Sequence, residues 1–468
     1  MTIPITGALL LPLGLIVAVL PWRYSLSGLM VFGMMSPAAV VNVGNYGLQP
    51  GYYLAMLLIA RTMGDVVTSG FTFNARVFWE MRSLFWFLVT VLAVLFIALC
   101  FFQGEVETLP GSFGFKSGLV HPFHLSRENF TQLFYLLLNA FLIYSFGHYG
   151  AMEKSNQLLR AWDIAVTCGL LFSVFVCVWQ FLSLYAGIFF PADFFYSNAG
   201  YSRADSQSMV GLFRINGPFE EPSTLGYNLS GYLMFSWSRL ECRPTVLSIF
   251  MIAGCIFCLL VSTSTTAFLG LFLFGWVAFF DMARGKIRFH FTLSAGKLIA
   301  IGSIGLALAA GIIAIAANWD AIWLILQNTL FQKSASTSFK QRSFADNLAL
   351  QIFTETYGIG VGLGSHKANS LLLTILSNTG VAGLLTIAAF FYRRISYASS
   401  TATRPFVLML LGLLLIHLFS NPNLSSLSLW LSLGGLLALQ MSEYSRGRVA
   451  HNYAASMGHQ PRPTLGTV

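Results

Sequence analysis

The chain has 468 residues, of which 56% are hydrophobic, 15% aromatic and only 9% charged. Soluble domains carry roughly 25% charged residues, so the balance excludes a soluble globular protein and marks a polytopic membrane protein. The formal charge of +9 does not call for nucleic acid, because the 26 Lys and Arg residues are scattered between apolar runs and form no continuous stripe.

Apolar runs long enough to cross a ~30 Å hydrocarbon core as helices recur from end to end. About thirteen spans are expected, beginning near Ile5, Ser27, Gln49, Leu84, Thr131, Trp162, Leu225, Thr245, Thr265, Lys297, Asn369, Pro405 and Ser425. The first run lacks a basic n-region and a small-residue cleavage site, so it reads as an uncleaved span. The six cysteines lie in apolar runs, at their ends or in the short Arg239 to Arg243 connection, which argues against a disulfide framework. Cys255-x-x-Cys258 reads as helix packing, not as a zinc or redox pair.

Alternating the spans across a membrane places 18 of the 26 basic residues on one side, which the positive-inside rule assigns to the cytoplasm. The minority of 8 is Lys116, Arg127, Arg203, Arg214, Lys333, Lys340, Arg342 and Lys367. The chain then divides into N-terminal transmembrane helices (1–190), an external loop (191–224), central transmembrane helices (225–318), a large external loop (319–368), C-terminal transmembrane helices (369–441) and a cytoplasmic tail (442–468). Loops this long carry function, so the working face is expected outside. The spans are almost free of ionisable groups, which argues against an ion-coupled carrier.

Four external clusters hold the polar chemistry. In Arg214-Ile-Asn-Gly-Pro-Phe-Glu-Glu-Pro-Ser-Thr-Leu-Gly226, two prolines fix an irregular loop that presents Glu220 and Glu221. One carboxylate could accept a proton from a sugar hydroxyl and the other hydrogen-bond a sugar; equally, the stretch could be a solvated turn capped by Ser223 or Thr224. The turn Ser262 to Thr266, with Ser264 at its centre, can bind phosphate or sugar oxygens or cap the next helix. Residues Thr337 to Glu355 carry apolar side chains at Phe339, Phe344, Leu348, Ile352 and Phe353, the spacing of an amphipathic helix from which Lys340 and Arg342 project. A guanidinium there can clamp a diphosphate bidentately.

The fourth cluster, Tyr357-Gly-Ile-Gly-Val-Gly-Leu-Gly-Ser-His-Lys-Ala-Asn-Ser370, is a glycine-rich turn entering a helix. Its glycines are expected to let backbone amides approach an anion faced by His366 and Lys367. No metal site is expected, because His366 has no partner at ligand spacing.

Taken in order, these clusters resemble the bacterial O-antigen polymerase and O-antigen ligase superfamily, which includes polymerases of exopolysaccharide and capsule. The resemblance rests on Arg214 with Gly217-x-Phe-x-Glu221-Pro-Ser223, the Ser-x-Ser turn, Arg342, Gly-x-Gly-x-Gly, His366-Lys-x-Asn-Ser370 and Gly380-Val-Ala-Gly383, and covers roughly Leu212 to Leu436. Family ligases often place an arginine after the Ser-x-Ser turn, whereas this chain has Thr265, which shifts the expected phosphate contacts to Arg214, Arg342 and Lys367.

What the resemblance implies is an all-α integral membrane protein, a bundle of about 12–14 transmembrane helices with long external loops, similar to GT-C-type polyprenyl-phosphate sugar transferases. Its activity would be that of a glycosyltransferase without metal or cofactor, in the bacterial inner membrane with its site on the periplasmic side. It would transfer a glycan from undecaprenyl diphosphate to the next lipid-linked repeat unit, among membrane lipids and beside a chain-length regulator. Transfer to lipid A core by a ligase is the alternative, and export or flipping the weaker third. Glu221, His366 and Arg342 would be catalytic, and Arg214, Glu220, Ser223, Ser264, Lys340, Lys367 and Ser370 would bind substrate.

Overall fold

The structure is a computed structural model that describes residues 1–70, 72–110, 120–201, 208–209, 212–242, 245–284, 323, 327, 337–397, 402–420 and 423–456. The span expected from Lys297 lies outside the described residues, as do Lys116, Arg203, Arg243, Lys286, Arg288, Lys333 and Arg462.

Helices dominate: α1 (Ile5–Val19), α2 (Trp22–Met34), α3 (Pro50–Thr68), α4 (Ala75–Phe101), α5 (Arg127–Met152), α6 (Ser155–Ala186), the single turn α7 (Ala192–Phe195), α8 (Pro222–Cys242), α9 (Val246–Val261), α10 (Thr265–Ala283), α11 (Thr337–Glu355), α12 (Leu371–Tyr397), α13 (Arg404–Ser420) and α14 (Leu427–Ser456). The expectation of a purely helical chain needs one correction. Three two-stranded antiparallel hairpins, Val41–Val43 with Tyr46–Leu48, Glu107–Thr108 with His121–Pro122, and Ser208–Met209 with Leu212–Phe213, shape the connecting loops.

Five helices are long and apolar enough to cross a membrane, namely Ala75–Phe101, Arg127–Met152, Ser155–Ala186, Thr265–Ala283 and Leu371–Ser396, and three shorter apolar ones accompany them. This architecture is compatible with a helical membrane protein. Other helices of the bundle fall short in length or hydropathy for visible reasons. Arg61 and Asp65 sit in α3, and α8 carries Asn228, Ser230, Ser236 and Ser238. Neighbouring helices cover these polar groups of α8, since 16 of its 21 residues are buried. Helix α8 is the centre of the molecule, flanked by α9, α10 and α13. Small residues let these neighbours close in: a Cβ on Gly226 would lie 2.7 Å from the Ala267 amide nitrogen.

The bundle has two unlike ends. One is closed by ion pairs, Glu80 with Arg394 at 2.9 Å, Asp163 with Arg239 at 2.8 Å and Asp281 with Arg404 at 2.7 Å. These fasten α4 to α12, α6 to α8 and α10 to α13. At the other end the loops hydrogen-bond to one another, as in Asn42 Nδ2 to Ser197 O at 2.9 Å, Tyr52 OH to Ser425 O at 2.5 Å and Lys367 N to Leu109 O at 3.0 Å. The arginines of these three pairs, Arg239, Arg394 and Arg404, belong to the side that the sequence division makes richer in basic residues.

Candidate functional site

The Arg214 to Glu221 loop sits directly on the N-terminus of the central helix α8, and its shape is set by buried polar partners. Gln180 of α6 accepts hydrogen bonds from the amides of Asn216 at 3.1 Å and Gly217 at 2.7 Å, while Tyr196 OH donates to Gly217 O at 2.6 Å. Gly217 has φ +57, and a Cβ there would strike Cys177 Sγ at 2.4 Å. Only glycine meets both demands at once. Pro222 then opens α8, where its missing N–H costs nothing.

This loop brings together groups distant in sequence. Arg214 Nε approaches Ser262 O at 3.5 Å, which joins the first cluster to the hydroxyl-rich turn. Burial lowers the Arg214 pKa; Glu221 opposes that shift and the charge of Arg342 adds to it. Arg214, Glu221 and Arg342 therefore share one electrostatic neighbourhood. Ser223 Oγ donates to Glu221 Oε2 at 3.1 Å. Ser264, by contrast, is buried at the N-terminus of α10 beside the strained Thr263, whose φ is +46. Its expected substrate contact gives way to a place in the helix start.

The two carboxylates part company. Glu220 accepts from Ser36 Oγ at 2.5 Å and from Thr224 Oγ1 at 3.2 Å, and it faces the end of α2. Burial pushes the Glu220 carboxyl up, the neighbouring Glu221 charge adds to the rise, and the Ser36 hydrogen bond opposes it.

Helix α11 forms where expected but buries a different face. Ala345, Leu348, Ala349 and Ile352 are buried, whereas Phe339 and Phe344 stay 40% and 46% exposed. The small residues let α11 seat closely against Val106, Leu109 and Phe123. Arg342 flanks that seam, while Lys340, two residues away and so on the far side of the helix, is exposed. The structure separates the two cations that the sequence reading grouped. Asp346, one turn beyond Arg342, accepts from the Asn369 amide at 2.7 Å. Burial raises its pKa, the Asn369 amide opposes this, and Arg342 also acts to lower it.

The glycine-rich turn is not an open anion cradle. The amides of Gly360, Val361, Gly362, Ser365 and His366 donate respectively to Thr356 Oγ1, Ser377 O, Asn378 O, Asn378 Oδ1 and Asn378 Oδ1, at 2.8 to 3.1 Å. They wrap the turn around a break in α12 at Gly380, where φ is +63 and ψ −163. His366 is 2% exposed, and its Nδ1 accepts from the Leu109 amide at 3.3 Å while Nε2 lies 3.0 Å from Ala345 O. Burial lowers its pKa to about 4. As placed, His366 is a neutral strut with both nitrogens committed to backbone, not a base facing an acceptor. Lys367 is exposed, and Ser370 is buried with Oγ accepting from the Leu373 amide at 3.2 Å, a cap of α12.

The sequence reading missed Gln180, Tyr196, Ser36, Asp346 and Asn378. Gln180 and Asn378 carried a usable signal, since each is an amide inside an apolar run and must find partners there. Among the described residues no three His, Cys, Asp or Glu side chains converge to hold a metal. Comparison with family models, characterised proteins and solved structures finds no match for this chain.

Proposed function

We propose that the protein is a glycosyltransferase acting on polyprenyl-diphosphate-linked glycans, a polysaccharide polymerase working at the external face of the bacterial inner membrane. This reading is supported by the Arg214 to Glu221 loop, which sits on the N-terminus of α8 with Arg214 Nε 3.5 Å from Ser262 O, and by the charges of Glu221 and Arg342, both of which act on Arg214. Two guanidiniums beside one carboxylate suit an oligoanion such as a diphosphate, since charge-assisted hydrogen bonds to arginine are stronger than neutral ones. Lipid reaches such a site laterally through the bundle wall, and the diphosphate supplies both anchor and leaving group.

In the reaction, an acceptor hydroxyl attacks the anomeric carbon of the donor while the bond from that carbon to the phosphate oxygen breaks. The electron pair leaves on the diphosphate, where Arg214 and Arg342 stabilise it, and the hydroxyl proton passes to a carboxylate of the Glu220 and Glu221 pair. A relation to GT-C-type sugar transferases fits this use of a helical bundle topped by loops. The Glu-Pro-Ser form of the loop favours polymerase over ligase.

The test is polymer length in cells carrying Arg214→Ala or Arg342→Ala. Short or absent polymer at normal protein level is expected for both; full-length polymer from both would overturn the proposal.

A further inference from the structure

At the ion-paired end, where α4, α12 and α14 meet, three guanidiniums share one carboxylate. Glu80 Oε2 accepts from Arg394 Nη2 at 2.9 Å and from Gln440 Nε2 at 3.1 Å, and Arg394 Nη1 donates to Gln440 Oε1. Glu80 and Arg394 are both buried, so this pair is internal. Arg76 and Arg393 stand farther out. Arg76 Nε is 3.8 Å from Glu80 Oε1 and Arg393 Nη2 is 3.8 Å from Glu80 Oε2, close enough for charge attraction and too long for hydrogen bonds. Their side chains are 45% and 28% exposed, and neither guanidinium donates a hydrogen bond to a described residue.

Three guanidiniums against one carboxylate leave two positive charges over. The chain from Tyr444 to Val468 adds three arginines and no carboxylate side chain. Guanidiniums held partly out of water are costly unless an anion meets them. The surroundings say where that anion comes from. Trp79, one turn along α4 from Arg76, is exposed, as are Tyr392 beside Arg393 and Tyr444, over whose ring the Arg76 guanidinium lies at 4.3 Å. Amphipathic rings exposed beside cations mark the depth at which lipid headgroups sit. From this point α4 runs on as one of the five helices able to cross a membrane.

We propose that Arg76 and Arg393 bind the phosphate of an anionic lipid in the leaflet on the ion-paired side. Both stand against the oxygens of one carboxylate and so are within reach of one phosphate, to which each planar fork can present two parallel N–H groups. Arg394 and Gln440 hold Glu80 in place beneath them and occupy its inner oxygen. One phosphate then bridges α4 and α12, so the lipid fastens the two helices together. This site lies at the far end of α4 from the loops and does not depend on the transferase reading.

The experiment uses full-length protein purified in dodecyl maltoside and freed of lipid. It is titrated with phosphatidylglycerol, phosphatidylcholine or sodium phosphate, while bound lipid is counted by native mass spectrometry and the unfolding midpoint is followed. Phosphatidylglycerol is expected to bind saturably and raise the midpoint; phosphatidylcholine and sodium phosphate are expected to do neither. Arg76→Gln combined with Arg393→Gln should weaken phosphatidylglycerol about tenfold or more and leave the lipid-free midpoint at the wild-type value. If the double variant does not fold, Arg76→Gln alone, at the more exposed position, is read in the same way. Arg23→Gln, which removes an exposed arginine elsewhere at this end, should leave the affinity unchanged. Equal phosphatidylglycerol affinity in wild type and the double variant overturns the site. So does an equal loss in Arg23→Gln, which would reduce the effect to general surface charge, and so does a midpoint raised as much by sodium phosphate or phosphatidylcholine.

Discussion

At the scale of single residues, scarcity made part of the site legible. In a chain this apolar, Arg214, Glu221 and Arg342 stand out, and the charges of Glu221 and Arg342 both act on Arg214. The unlike surroundings of Glu220 and Glu221 were not legible, because they depend on Ser36 lying 184 positions away. A catalytic carboxylate must be ionised, so activity should fall with acidification through the Glu220 pKa. Burial and the Glu221 charge both place that pKa above the ordinary glutamate value, and Glu221→Gln should move the acid limb of the rate profile to lower pH. An acid limb unmoved by Glu221→Gln would contradict the coupling. His366 illustrates the opposite failure of sequence reading. A histidine in a polar motif looks reactive, yet its partners are backbone groups of Leu109 and Ala345. Its folded pKa is depressed to about 4 from an unfolded value of 6.5, so the unfolded chain binds the proton first. Stability is full above pH 6.5 and declines as pH falls towards 4, by up to about 3 kcal/mol. His366→Gln can accept and donate at similar positions. It should keep transferase activity and flatten the decline of thermal stability between pH 6.5 and 4, whereas loss of activity in well-folded His366→Gln would restore histidine as a base.

At the scale of elements, periodicity located the helices and misjudged what the glycines do. The four alternating glycines Gly358, Gly360, Gly362 and Gly364 all have positive φ, between +77 and +93. They look like a phosphate loop because both structures need left-handed backbone, but here the freedom serves close packing. A Cβ on Gly364 would meet Glu128 O at 2.7 Å, and one on Gly360 would meet the Asn378 carbonyl carbon at 2.7 Å. The turn is a plug wound onto the break in α12. Gly380→Ala tests this, because a Cβ there would lie 2.1 Å from Gly358 O on a backbone with φ +63. Left-handed strain costs of order 1 kcal/mol and the enforced shift of the turn adds about 1–3 kcal/mol. A markedly lower midpoint of thermal unfolding in detergent is expected, together with lost polymer; a stability equal to wild type would show that the break is not locked by the turn. Helix α11 shows the same limit of pattern reading. Its period was correct, but Ala345, Leu348, Ala349 and Ile352 form the buried seam while the large Phe339 and Phe344 stay outside it, because the alanines let the helix seat closely against Val106, Leu109 and Phe123.

At the scale of the whole molecule, the helical, membrane-compatible architecture was legible in the apolar runs, and the ion pairs gather at one end of the bundle. Basic residues of the richer side form buried or half-buried ion pairs at one end. Glu80 with Arg394 is the most enclosed of these, with side chains 5% and 0% exposed. Glu80→Ala would leave that guanidinium buried beside Gln440 without its carboxylate, at a cost of about 3–5 kcal/mol, read as reduced yield and a lower unfolding midpoint. The loop-rich end is built differently, from hydrogen-bonded hairpins and plugs that leave cations at the surface, which is how a surface that receives an anionic, lipid-borne ligand would be made. The proposed function requires this end to face outward. Lys340 is exposed at the loop-rich end and Arg23 is exposed at the ion-paired end. In a Cys100→Ser background, which removes the exposed native thiol, Lys340→Cys should react with a membrane-impermeant maleimide in intact spheroplasts. Arg23→Cys should react only after lysis. The opposite labelling pattern would put the arginine-carboxylate cluster in the cytoplasm, where the positive-inside rule does not place it, and an extracytoplasmic polymerase could not work from there.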